Sequence, residues 1–144
     1  MTEYLPTQVI LEINATFGGY PFDLPGIEGA IYRPATVIYG QEGFPSLWMK
    51  AGVYVHSFSS TQYFSDGNKR TAWTAAVTFL DLNGYRVRDM ADVEAEAFVL
   101  AVSRELFNVE EDPDRTLKRA GEWFQVNAET NWSEGPGQPP LTST

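Results

Sequence analysis

The chain has 144 residues, a net charge of −9, no cysteine and a single histidine, His56. That length supports one domain with a real core and is short for two. The missing thiols exclude a disulfide framework and a thiolate metal site, a lone histidine argues against zinc, and the acidic balance argues against nonspecific nucleic-acid binding, which needs clustered Lys and Arg.

Hydrophobic residues make up 43% of the chain and aromatics 14%, a rich supply for a core. The acid concentrates in Asp89 to Glu96 and in Glu110 to Asp114, which reads as solvated faces. No apolar run reaches membrane-spanning length, and no basic-then-apolar segment opens the chain. A cytoplasmic protein with neither a membrane nor a nucleic-acid partner is expected.

Taken in order, the predicted elements are mostly helices. Thr7 to Phe17 carries Val9, Ile10, Ile13 and Phe17 at helical spacing, with Pro6 ahead and Gly18-Gly19 behind. Ile27 to Tyr32 is a short helix that stops before Pro34. Thr36-Val-Ile-Tyr39, ended by Gly40, is extended and β-branched. Phe44-Pro45-Ser46 opens a longer helix through Ser59, with a stripe of Leu47, Ala51, Tyr54, Val55 and Phe58. Lys69 to Leu82 closes on Asn83-Gly84, a good C-terminal signal. Its buried face is Trp73, Ala76, Val77 and Leu80, and its nearly apolar character places it at the centre of the bundle. Ala91 to Phe107 and Pro113 to Val126 are the last two helices. Residues 129–144 form a tail rich in Gly, Pro, Ser and Thr, and Glu134 to Pro140 is expected to be disordered. The fold class is therefore all-α: a compact helical bundle over residues 1–128, with one short extended segment.

The stretch Gln62-Tyr-Phe-Ser-Asp-Gly-Asn-Lys-Arg-Thr-Ala72 carries the chemistry. It sets an acid, a glycine, an amide and two cations in five consecutive residues ahead of a helix. Asp66 offers a hard carboxylate oxygen to Mg²⁺, which takes few protein ligands and completes its shell with phosphate and water. Gly67 allows a sharp turn and a close approach to an anion. Asn68 suits an N-cap and has an amide to donate to a phosphate oxygen. Lys69 and Arg70 fall in the first helical turn, where free N–H groups and the helix dipole already favour an anion. Asp-Gly-Asn also makes an ordinary turn. Two cations in a first turn oppose the dipole, however, at about 0.3–1 kcal/mol each, and a purely structural helix start would favour Asp or Glu.

Residues 62–70 resemble the core motif of the Fic/Doc (Fido) family, His-x-Phe-x-Asp/Glu-Gly/Ala-Asn-Gly/Lys-Arg. Lys69 in place of glycine, and Thr71-Ala72 after the arginine, look like the death-on-curing (Doc) toxin branch. The resemblance extends to Leu24-Pro-Gly-Ile-Glu28, Ala30-Ile-Tyr-Arg33-Pro34 and Ala76-Val-Thr-Phe-Leu-Asp-Leu-Asn-Gly84, and covers roughly residues 5 to 125. It implies a Fido-type helical bundle that binds ATP and Mg²⁺. Asp66 would hold the metal, Phe64 would anchor the loop, and Gly67, Asn68, Lys69, Arg70 and Thr71 would hold phosphates, with Asp66, Lys69 and Arg70 taking part in catalysis. Doc-type toxins transfer the γ-phosphate of ATP to a threonine of elongation factor Tu, and AMP-transferring relatives bind ATP the other way round. Such toxins are typically restrained by an antitoxin whose disordered segment folds onto them. Thr36 to Tyr39 would occupy the place of the family's flap, which docks the target as an added strand. Without the resemblance, that segment reads as a buried connector.

Two positions depart from the family pattern. The general-base histidine falls on Gln62, and an asparagine usual in the following helix falls on Thr74. A carboxamide takes up no proton near neutral pH and only orients a hydroxyl by hydrogen bonding. Losing a positioned base typically costs about 10²–10⁴-fold in rate, although phosphoryl transfer draws most of its acceleration from positioning and charge neutralisation. His56 lies six residues before Gln62. In a continuous helix that is about 9 Å along the axis and about 120° round, so His56 is expected to sit on a helix flank. Glu28 and Arg33 are candidates for a local ion pair or for lining the cleft. Thr130-Asn-Trp-Ser-Glu134-Gly135 matches the short inhibitory pattern of some Fic proteins, a degenerate string. The chain thus reads as a Doc-like phosphotransferase with altered chemistry, a catalytically silent nucleotide-binding Fido domain, or an AMP transferase; a plain helical domain would have little use for Asp66, Asn68, Lys69 and Arg70 together.

Overall fold

The computed structural model describes residues 1–131. In it, α1 (Thr7–Thr16) and α2 (Leu24–Tyr32) lead through a 3₁₀ turn (Arg33–Ala35) into a hairpin of β1 (Val37–Ile38) and β2 (Gln41–Glu42). Then come α3 (Leu47–Ser59), α4 (Asn68–Leu82), β3 (Tyr85–Val87), α5 (Asp92–Ser103), α6 (Arg115–Asn127) and β4 (Ala128–Thr130). The expected all-α bundle with a short extended segment is the fold observed. Among the described residues no helix is long and apolar enough to cross a membrane.

The centre of the bundle is α3 rather than α4. Nine of the thirteen residues of α3 are buried, and it packs against α2, α4, α5 and α6. From Ala51 to Val55 it carries no charge, so every side can be covered. Helix α4 keeps Lys69, Arg70, Asp81 and Leu82 exposed and so has a solvent face. Helices α3 and α6 meet through glycines. A β-carbon on Gly52 would lie 2.9 Å from the Ala120 Cβ, and one on Gly121 would lie 3.1 Å from the Met49 backbone. The Tyr54 hydroxyl donates to the Ile31 carbonyl at 2.8 Å, which fixes α2 on α3. Burial pushes its ionisation well above the ordinary tyrosine range. Trp73, Phe98, Trp123 and Phe124 join α4, α5 and α6, with Phe98 stacked on Trp123 at 4.0 Å.

Several boundaries differ from expectation for physical reasons. Helix α2 begins earlier, at Leu24, because Asp23 accepts the Gly26 N–H at 2.9 Å and Pro25 suits a first turn. Helix α5 stops at Ser103, well short of Phe107. Glu105 turns left-handed (φ 52°), and its carboxylate is taken by His56 and Asn108. Thr36 to Tyr39 is not a buried connector. It forms half of a hairpin in register Val37↔Glu42 and Ile38↔Gln41, turning on Tyr39 (φ 52°) and Gly40 (φ 77°). Val37, Ile38 and Tyr39 are exposed there. Buried Lys50 of α3 grips the hairpin base by an ion pair to Glu42 at 2.8 Å and a bond to the Phe44 carbonyl. Glu129 and Thr130, assigned to the tail on sequence grounds, belong to β4 and pair with Arg86 and Tyr85. Asn131 donates to Asp81 at the C-terminal end of α4. Of the candidate inhibitory string, Trp132 to Gly135 lies outside the described residues, as does the rest of the tail.

The two kinds of helical glycine have opposite expected effects. Gly52→Val forces α3 from α6 and is expected to lower unfolding stability by about 1–3 kcal/mol. Gly29→Ala on α2, where a β-carbon meets nothing within 4 Å, is expected to raise it by about 0.5–1 kcal/mol. Urea unfolding of both variants checks the pair.

Candidate functional site

The site begins where the loop after α3 turns into α4. Gly67 caps the helix with φ 72° and ψ 19°, a left-handed conformation that glycine adopts without strain. A β-carbon there would also lie 2.9 Å from the Phe17 Cβ. The expected cap, Asn68, is instead the first helical residue. Its Oδ1 accepts the Phe64 N–H at 3.2 Å and its Nδ2 donates to the Phe64 carbonyl at 3.0 Å. The amide expected to reach a phosphate therefore clamps the loop. Phe64 itself is buried and anchors the loop, as the resemblance implies.

A second amide, Asn14 of α1, secures the turn from behind. It is fully buried, and its Nδ2 donates to the Asp66 carbonyl at 2.8 Å and to the Thr71 hydroxyl at 3.0 Å. The carbonyl only accepts, so it fixes which way this amide faces. Thr71, expected among the phosphate-holding residues, is fully buried and does not line the cleft. It lies one turn into α4, on the face turned toward α1. Thr74 does not line the cleft either. Gly19 is required next to Asn14, because a β-carbon there would come within 2.5 Å of the Asp66 carbonyl.

The front of the loop is stitched to residues 20–23. Ser65 N–H donates to the Tyr20 carbonyl at 2.9 Å, Tyr20 N–H donates to the Ser65 hydroxyl at 2.9 Å, and Phe22 N–H donates to the Tyr63 carbonyl at 2.8 Å. The result is a cleft of about 630 Å³ lined by Phe17, Phe22, Gln62, Asp66, Lys69 and Arg70, among others. Four of the expected residues, Gln62, Asp66, Lys69 and Arg70, thus meet in one cavity, with Gly67 and Asn68 as its wall. Asn14, Phe17, Gly19, Phe22 and Ser65 are structural parts that sequence reasoning missed. Asn14 had one visible signal, a polar residue one turn after Ile10 on the apolar stripe of α1.

Electrostatically the cleft is a helix start with no acid in its first turn and two exposed cations. The Arg70 guanidinium lies over the Phe17 ring at 5.9 Å. One Asp66 oxygen accepts the Gly67 N–H at 2.8 Å; the other makes no hydrogen bond among the described residues. Those residues contain no cluster of three or more His, Cys, Asp or Glu suited to a metal. A single exposed carboxylate fits a hard cation that arrives with most of its shell supplied by phosphate and water.

His56 does not line this cleft. Helix α3 ends at Ser59, before Gln62, but the imidazole belongs to a separate groove of about 610 Å³ that includes Arg33, Ser57 and Thr61. Arg33 Nη1 donates to His56 Nδ1 at 3.0 Å and to the Ser57 hydroxyl at 2.8 Å. The opposite ring nitrogen meets the Glu105 carboxylate at 2.7 Å. An imidazole that accepts from a guanidinium and donates to a carboxylate is the neutral Nε2–H tautomer. Burial draws the Arg33 pKa down, opposed by Asp114, Tyr63 and Glu105. Among the described residues Arg33 forms no ion pair with Glu28; it bonds to His56 and Ser57 and lies over the Phe44 ring.

A profile of the Fic/DOC family matches residues 4–80, a span that contains the whole cleft. Toxin Doc of Mycolicibacterium smegmatis is 39% identical over 97 residues, which is 65% of this chain and 75% of that protein. The chain belongs to the Fic/Doc family.

Removing the rear clamp tests how the cleft is held. Asn14→Leu leaves the Asp66 carbonyl without its partner and is expected to cost about 1–3 kcal/mol of stability. Amide hydrogen exchange is expected to rise first across residues 64–71, which locates the loss in the loop rather than the core.

Proposed function

We propose that this chain is a Doc-like toxin of a toxin–antitoxin module, one that binds ATP with Mg²⁺ in the cleft and transfers the terminal phosphate to a protein hydroxyl. The observation that carries this is the start of α4. Two exposed cations and a left-handed glycine stand beside a carboxylate, in a first turn without acid, opening on a cavity large enough for a small ligand. Such an arrangement opposes the helix dipole unless an anion is bound. Lys69 and Arg70 hold and neutralise phosphate oxygens, and Asp66 holds the metal. When bound, that metal screens the charge on the transferring group.

Gln62 lines the cleft and makes no hydrogen bond among the described residues. Its role is to orient the acceptor hydroxyl: that oxygen bonds the γ-phosphorus as the bond to the bridging oxygen breaks, ADP leaves, and the hydroxyl proton passes to solvent. The target is a translation protein of the elongation factor Tu kind. Its segment docks against the exposed hairpin of β1 and β2 as an added strand. The partner is an antitoxin with a disordered segment that folds onto the toxin. Lys69, in place of the glycine of AMP-transferring relatives, favours phosphate transfer over AMP transfer.

A second reading is favoured by Gln62 itself: a silent Fido domain that binds nucleotide and stops there. Three measurements separate these. Neutralising Lys69 and Arg70 together is expected to abolish calorimetric binding of Mg²⁺–ATP; unchanged binding would sink the phosphate site. Gln62→His is expected to raise transfer to elongation factor Tu by about 10²–10⁴-fold. Label on the γ-phosphate reports phosphate transfer, and label on the α-phosphate reports AMP transfer. If both forms bind ATP and neither transfers label to any target, the silent reading stands.

A further inference from the structure

Two large rings at the mouth of the cleft are left out of the core. Phe22 is 64% exposed and Tyr20 is 61% exposed. Single exposed aromatics are common and need no explanation; the attachment of these two sets them apart. The backbone of residues 20–22 is tied to residues 63–65 by three hydrogen bonds of 2.8–2.9 Å, and Pro21 bridges Phe64 in an antiparallel manner. The backbone that carries the rings is thereby fixed relative to the loop that carries Asp66 and Gly67. Tyr20 meets Phe22 edge to face, with centroids 5.5 Å apart at 90°, which restrains both. Phe22 lines the same cavity as Lys69 and Arg70. Of the other rings on that wall, Phe17 is already covered by Arg70 and packed beneath Gly67, and Phe64 is buried in the core. The cavity, at about 630 Å³, has room for more than a chain of phosphates.

We propose that Phe22 is a base-stacking platform. It takes the aromatic base of a nucleotide whose phosphates sit at Lys69 and Arg70, and Tyr20 is the positioning residue for its ring. The proposal rests on the phosphate-site reading above and adds the identity of the ligand's other end. Stacking on an aromatic face needs no hydrogen bond to the base edge, and a ring restrained by a neighbouring ring on a fixed backbone loses less freedom on binding.

The test compares two magnesium-loaded ligands by calorimetry on the whole chain: ATP and inorganic tripolyphosphate, which lacks base and sugar. The wild type is expected to bind ATP about fivefold or more tighter than tripolyphosphate. Phe22→Ala is expected to close that gap while leaving tripolyphosphate binding unchanged. Equal affinity for the two ligands in the wild type overturns the platform and leaves the phosphate site standing. A gap that survives Phe22→Ala overturns it as well. If neither ligand binds, the phosphate site and the platform fall together. Phe22→Trp gives an independent readout should the alanine variant fold poorly. Its added fluorescence, relative to wild type, is expected to change with ATP and to stay constant with tripolyphosphate, and the same response to both ligands counts against stacking.

Discussion

The cleft depends on one sharp turn held from two sides. At Gly67 the chain passes from loop to helix in a conformation that side chains resist, and two amides keep it there. Asn14 holds the Asp66 carbonyl from behind, and Asn68 holds both backbone groups of Phe64 from within. A loop so restrained loses little entropy when an anion binds, because its N–H groups and charges already stand where they are needed. The arrangement also explains why the loop needs a buried aromatic. Phe64 sets the depth of the turn and Asn68 sets its twist, so that Asp66, Lys69 and Arg70 are left facing outward.

Binding and chemistry separate in this molecule. On the proposed reading, Lys69 and Arg70 supply the charges that attract a phosphate, while residue 62, where the family resemblance places a proton acceptor, carries an amide. Those functions draw on different physics. Anion binding uses fixed dipoles and cations, which act whatever occupies residue 62. Proton transfer needs a group that titrates near the working pH. The single histidine cannot be recruited, since Arg33 occupies one ring nitrogen and Glu105 the other. Whatever rate this cleft supports must come from positioning and charge neutralisation, the two contributions on which phosphoryl transfer relies most.

Much of this was legible in the sequence, and the illegible parts share a cause. Sequence reading placed each of the six helices of the described residues, with apolar stripes marking α1, α3 and α4, and Ser46, Asn83 and Gly84 marked ends correctly, because those signals are local. The charge pattern of residues 66–70 pointed to the cleft for the same reason. The sequence did not reveal that Asn68 serves the loop or that Thr71 is buried behind it. Nor did it reveal that Asn14, 52 residues away from Asp66, completes the turn. Each of these depends on which helix lies behind the motif. The centrality of α3 was hidden likewise: Gly52 and Gly121 look like weak points in their own helices and become contact surfaces only when the helices meet. Lys50 reads as a surface residue until the hairpin folds over it.

The positions that hold the fold are distinct from residue 62, one of the two positions where the family resemblance predicts a different residue. Gly52, Gly121, Tyr54 and the aromatic cluster of α4, α5 and α6 build the core without touching Gln62. Gln62 is exposed, lines the cavity and makes no hydrogen bond among the described residues. A substitution at such a place moves stability by only about 0.5 kcal/mol in either direction. Selection acting on residue 62 therefore meets almost no constraint from folding. The clamp residues Asn14, Gly19 and Gly67 meet a strong one, through buried hydrogen bonds and sub-van-der-Waals crowding. A chain of this design can change residue 62 while keeping the turn at Gly67 intact, and Gln62 in a cleft whose clamp is complete is what that asymmetry leads one to expect.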